Sequence, residues 1–157
     1  MRALVRPIWL FVAAAVLAPL PHAVHAAAAD DACAVLTSAQ VGAAVGVAVG
    51  AGTYVTPTFK RTCTWVPSDS ASGIRFVTLN LQSIAQFDAG KRAATYGVVT
   101  PVGGMGDDAF YLGVGSTEGL IVKKGQRAFK IAVYSTLPLE KKRAMERALA
   151  QRVLARL

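Results

Sequence analysis

Apolar residues follow three different rhythms along this chain. The first is unbroken: Ile8 to Leu20 is an uncharged run of 13 residues, behind Arg2 and Arg6 and ahead of Val24-His25-Ala26. A basic start, a short apolar run and small residues at the exit form a secretory signal, with a cut expected after Ala26. A bilayer span takes about 20 apolar residues, so this run is short for a permanent anchor.

The second rhythm has period two, which marks half-buried strands. Ile74 to Gln82 is the strongest case, with Val77, Leu79 and Leu81 on one face. Arg61 to Val66 precedes it across the turn cluster Pro67–Gly73, predicting an antiparallel hairpin. Val98 to Val102 reads as a short strand that Pro101 places at an edge. Phe110–Val114, Leu120–Lys123 and Arg127–Tyr134 follow with short turns, as in a meander. Val47 to Thr58 is a weak strand or a loop.

The third rhythm is helical. Thr37 and Gln40 fit a capping box, Leu36 and Val41 a hydrophobic staple, and Gly46 a C-cap. A second helix is expected over Ile84–Tyr96, with Asp88 paired to Arg92. A third runs from Pro138, placed in its first turn, to Leu157. Its apolar row is Met145, Leu149, Val153 and Leu157, widened by Ala150 and Leu154. The order predicts an α+β fold: a mainly antiparallel sheet of five to six strands, with two to three helices packed on one face. The expected organisation is a signal peptide at 1–26, a flexible leader at 27–32 and a single domain at 33–157.

Taking residues 1–26 from the 157 leaves 131, with 15 Lys and Arg against 9 Asp and Glu, a formal charge of +6. Both histidines, His22 and His25, leave with the leader. Without imidazole, Ser-His-Asp and Cys-His catalysis are excluded and the commonest metal ligand is gone. No Ser-x-x-Lys, phosphate-loop or G-x-G-x-x-G motif occurs. No cofactor and no metal is expected. Cys33 and Cys63 are the only cysteines, and export exposes them to an oxidising compartment, so they are expected to pair. Asp30-Asp31-Ala32 before Cys33 argue against a lipid-modified cysteine.

Charge is segregated. Residues 123–157 hold ten cations and two acids, +8; residues 27–122 hold five cations and seven acids, −2. Lys123, Lys124, Lys141, Lys142, Arg143 and Arg147 are therefore candidate contacts for an anionic envelope component or an acidic protein. Nucleic acid is not an expected partner, since no aromatic residues interleave with the cations as stacking platforms. Gly103-Gly104-Met105-Gly106-Asp107-Asp108 is the most unusual segment, and Asp107 and Asp108 are candidate ligand residues. The plainer reading is a tight turn entering a strand. The sharper one is a cation loop with oxygens from Asp107, Asp108 and Glu118 or Asp69.

Cys33-Ala34-Val35-Leu36-Thr37, Cys63-Thr64-Trp65 and Gly104-Met105-Gly106-Asp107-Asp108-Ala109-Phe110 together resemble a class of bacterial exported or lipid-anchored domains of unknown function. The resemblance implies a disulfide and a small antiparallel α+β fold, alone or as an extracytoplasmic sensor-like module. It supplies no activity and no catalytic residue. The expected function is an exported, non-enzymatic binding module of the bacterial envelope, periplasmic or secreted. An inhibitor or immunity-type protein is the first alternative. A hydrolase working with carboxylates alone, through Asp107 or Asp108, is the second.

Overall fold

A computed structural model describes residues 30–93 and 97–157. The expected signal peptide at 1–26 lies outside the described residues, as do 27–29 of the leader. Ala32, the leader's last residue, is buried in the first turn of helix. Among the described residues no helix is long and apolar enough to cross a membrane.

The elements are α1 (Ala32–Val35), α2 (Ser38–Val45), β1 (Thr53–Tyr54), β2 (Thr62–Trp65), β3 (Ile74–Gln82), α3 (Ile84–Arg92), β4 (Val98–Pro101), β5 (Asp108–Gly113), β6 (Gly119–Lys124), β7 (Arg127–Ser135) and α4 (Leu139–Leu154). All strands pair antiparallel in one sheet of order β1-β2-β3-β7-β6-β5-β4. The chain leaves central β3 through α3, crosses to the far edge at β4, and meanders back until β7 zips onto β3.

The α+β class and the antiparallel sheet agree with the sequence reading, but among the described residues there are seven strands rather than five or six. The extra one, β1, is two residues long, too short to carry an alternation. Among the described residues four α-helices replace the expected two to three, because Asp31 caps a separate turn by accepting hydrogen bonds from the N–H groups of Cys33 (3.1 Å) and Ala34 (3.2 Å). The capping box of α2 forms as predicted, and Gly46 closes that helix at φ 78°. An analogous box, Ser83 with Gln86, starts α3.

The helices do not share one face. Alternation sends Val77, Leu79, Ile131 and Val133 to the side covered by α1, α2 and α4. Phe110, Ile121 and Ala128 point to the other side, where Phe87 of α3 meets Phe110 edge-on at 5.2 Å between ring centroids. β5 and β6 therefore bury large side chains on both faces, which is what a central strand under two layers requires. α3 stops at Arg92, and residues 94–96 of the expected longer helix lie outside the described residues. Asp88 and Arg92 form no ion pair; Lys91 bonds Asp108 instead. Pro138 is the residue before α4 rather than inside its first turn.

Cys33 and Cys63 form a disulfide that joins α1 to β2, as expected. The neighbourhood is tightly packed: a Cβ on Gly52 would lie 2.6 Å from Cys63 Sγ and 2.8 Å from Trp65 Nε1, so only glycine fits there. The Tyr54 phenol donates to both carboxylate oxygens of Asp31, at 2.7 and 2.9 Å. That bond, more than any other influence, raises the phenol's pKa.

Candidate interaction surface and its buried ionic support

The basic segment divides into an outer and an inner set. Lys124, Lys141 and Arg147 are exposed, together with Arg127 and Arg156. Lys124 Nζ donates to the main-chain oxygen of Leu154 at 2.9 Å, and Arg127 reaches that of Leu157 at 3.4 Å. These two bonds hold the β6–β7 turn against the end of α4, so Lys124 and Arg127 share one surface with Arg156, far from them in sequence. Lys123 is half-buried on the opposite face, its ammonium 5.6 Å from the centroid of the Phe87 ring.

Lys142 and Arg143 do not belong to that surface. Lys142 is 1% exposed. Its ammonium donates to the carbonyl of Gly115 at 3.2 Å and to that of Glu118, and lies 3.5 Å from the Glu146 carboxylate. Arg143 binds Glu118 bidentately, with contacts of 2.9 and 2.7 Å. Its guanidinium also stands 4.6 Å over the Tyr111 ring, and the Tyr111 phenol donates back to the Arg143 carbonyl at 3.2 Å. Two cations and two acids, Lys142, Arg143, Glu118 and Glu146, thus form one cluster between α4 and the loop before β6.

This cluster follows from sheet geometry. β6 begins at Gly119, so β7 runs past it without a neighbour on that side. The Glu146 carboxylate takes the vacant place and accepts a hydrogen bond from Val133 N–H at 2.9 Å. The loop carbonyls, left without strand partners, are met by Lys142. A buried N–H or C=O without a partner costs about 1–3 kcal/mol, which the charged side chains avoid.

Burial in apolar surroundings pushes the Glu146 carboxyl up to about 7, against the opposing pull of the Val133 hydrogen bond and the Lys142 charge. Burial likewise raises the Tyr111 phenol and lowers the Lys130 ammonium. The Glu118 hydrogen bonds raise the Arg143 pKa. Among the described residues three buried side-chain oxygens have no hydrogen-bond partner: Gln82 Oε1, away from this cluster, and Glu146 Oε2 and Ser135 Oγ.

The 103–108 loop is a turn fastened to the β6–β7 hairpin. Gly104 and Gly106 take positive φ, 70° and 62°. Gly106 passes so close to β6 that a Cβ would sit 2.4 Å from the Lys123 carbonyl oxygen. Met105 is buried beneath it. Asp107 N–H donates to Lys123 O at 2.8 Å, and its carboxylate accepts from Gly125 N–H at 2.6 Å. Asp108 turns to Lys91 of α3. Asp69 accepts from Ala71 N–H at 2.8 Å, far along the chain. The four acids of the expected cation loop are each spent on a different local partner, and among the described residues no cluster of His, Cys, Asp or Glu could hold a metal.

Asp30 lines a cavity near Arg61 and Arg127, and Glu140 lines another near Tyr111 and Arg147. Neither shares its cavity with a second carboxylate. A two-carboxylate mechanism needs such a pair.

Glu146 and Ser135 escaped the sequence reading, and Glu118 entered it only as an oxygen ligand of the expected cation loop. A signal was present: Lys142 and Glu146 precede Leu149 and Val153 on the same helical stripe, at steps of four and three. That stripe, with Ala150, is the buried face of α4, whereas Met145 and Leu157 from the expected row are only partly buried. Comparison with protein-family models, with curated proteins and with solved structures finds no match to this chain.

Proposed function

We propose that the chain is an exported, non-enzymatic binding domain of the bacterial envelope that recognises an anionic partner through the β6–β7 turn and the outer side of α4. One observation carries the reading: eight of the nine acids, all but Asp88, have partners within the fold, whereas a set of cations in the last segment has no carboxylate partner. Asp30, Asp108, Glu118, Glu140 and Glu146 all have cationic partners. Asp31, Asp69 and Asp107 hold main-chain N–H groups. Among the described residues Lys124, Arg127, Lys141, Arg147, Arg152 and Arg156 have no carboxylate partner. An unbalanced patch of this kind attracts polyanions over about a Debye length, ~8 Å at physiological salt.

The test is co-sedimentation of the full chain with vesicles of phosphatidylglycerol or phosphatidylcholine. Binding is expected only to the anionic vesicles, and it should vanish at high salt. Lys124→Ala, Arg147→Ala and Arg156→Ala combined should weaken it about a hundredfold, at roughly 1 kcal/mol per cation. Equal binding to both vesicles, or none to the anionic ones at low salt, overturns the reading.

A further inference from the structure

At the start of α4 lies a cavity of about 150 Å³ lined by Gly115, Ser116, Ser135, Leu137, Leu139 and Lys142. Its floor is buried: Ser135 is 6% exposed and Lys142 1%. Its rim, Gly115, Ser116 and Leu139, is exposed. Two independent features meet there. The 16-residue α4 is preceded by Pro138, which has no side-chain oxygen, so no side chain caps the helix's first-turn N–H groups. The other two long helices have such caps, Thr37 and Ser83. The second feature is the Ser135 hydroxyl, buried and without a hydrogen-bond partner.

We propose that this cavity binds a phosphate group, held by the first-turn N–H groups of α4 and by the Ser135 hydroxyl. Unsatisfied N–H groups and the helix dipole make a helix start attractive to oxyanions. The serine adds a donor from β7, from outside the helix, as a tetrahedral anion with several acceptor oxygens requires. The volume is well under the ~300 Å³ of small pockets for whole ligands, so it suits one group rather than a molecule. Of the nearby acids, Glu118 and Glu146 are bonded to Arg143 and Lys142 and neither lines the cavity; Glu140, in the first turn of α4, is exposed, lies 3.9 Å from Arg143 and lines a different cavity. Lys142 places its ammonium at the Gly115 edge but spends its hydrogen bonds on protein oxygens, so it supplies charge rather than donors. The site goes beyond the basic surface and does not depend on it.

The experiment titrates the full chain with inorganic phosphate and separately with glycerol 3-phosphate, against sodium chloride at matched ionic strength, and follows backbone amide resonances. Saturable shifts confined to Ser116, Ser135, Leu139 and Glu140 are expected with phosphate. Comparable shifts with glycerol 3-phosphate assign the site to a phosphate carried on a larger molecule; shifts with phosphate alone assign it to the free ion. Ser135→Ala removes a hydroxyl that has no internal partner, so the fold should survive while affinity falls about tenfold. Pro138→Asp introduces a carboxylate cap that occupies the same N–H groups and should abolish binding. The absence of those shifts, or wild-type affinity in both variants, overturns the proposal. The triple variant at Lys124, Arg147 and Arg156 should keep the phosphate shifts even as it loses vesicles, so the two sites fail separately.

Discussion

Two ends of the fold, the β1–β2 flank and the place where β6 falls short of β7, are secured by opposite chemistry. At the β1–β2 end a covalent link, Cys33–Cys63, closes a span of 30 residues and sits beside a glycine with no room for a side chain. Where β6 falls short of β7, the loop before β6 is held to α4 by Lys142, Arg143, Glu118 and Glu146. The disulfide acts mainly by restricting the unfolded chain. The ionic cluster acts in the folded state, where it supplies partners to main-chain groups that the departing strand leaves bare. One end is therefore sensitive to redox conditions and indifferent to mild acid, and the other is the reverse.

Breaking either end tests this contrast. Lys142→Ala leaves the buried Glu146 charge and two loop carbonyls unpartnered, and should cost about 3–5 kcal/mol in denaturant unfolding at pH 8. The loss should shrink in mild acid, where Glu146 takes up a proton. A similar loss at both pH values would show that packing, not charge, secures this end.

Replacing both cysteines by alanine should cost about 3–4 kcal/mol in the chain-entropy model, equally at pH 8 and pH 6. Parallel chemical denaturation curves at the two pH values check this.

The pH dependence itself has a definite sign. Glu146 has a folded pKa of about 7, above its ordinary 4.5. The folded state therefore binds this proton more tightly than the unfolded state, and the contribution of Glu146 to stability rises as pH falls from 7 toward 4.5. Glu146→Gln should flatten the melting temperature over that window. An unchanged slope would place the titration elsewhere.

The smallest effect is expected at the outer cations. Lys141→Ala with Arg147→Ala should shift stability by no more than about 0.5 kcal/mol, since neither side chain has an acidic partner. A larger loss by thermal melting would mean that this surface also supports the fold.

Much of the fold was legible because local signals agreed with tertiary demand. Thr37 with Gln40 marks a helix start whatever surrounds it, and β3 alternates because one of its faces is core. The candidate site was legible only as a charge total. Ten cations in the last 35 residues read as one surface, yet Lys142 is buried and Arg143 is half-buried and bound to Glu118. Composition counts charges but cannot tell which of them turn inward, because the Glu118 carboxylate that binds Arg143 lies 25 residues earlier and the loop carbonyls that draw Lys142 inward lie 24 and 27 residues earlier. The 103–108 loop was readable as a turn from its glycines, but not that Asp107 would fasten it to Gly125.

The sequence by itself determined the class of fold, the strand and helix periodicities, the single possible disulfide and the excess of positive charge in the last segment. These are properties of short windows or of simple counts. Tertiary structure decided that α3 covers the second face of the sheet, that β7 outruns β6, and that Glu146 and Lys142 fill the gap so created. Those outcomes depend on where strands of unequal length end relative to one another, and that register is fixed only when distant segments pack.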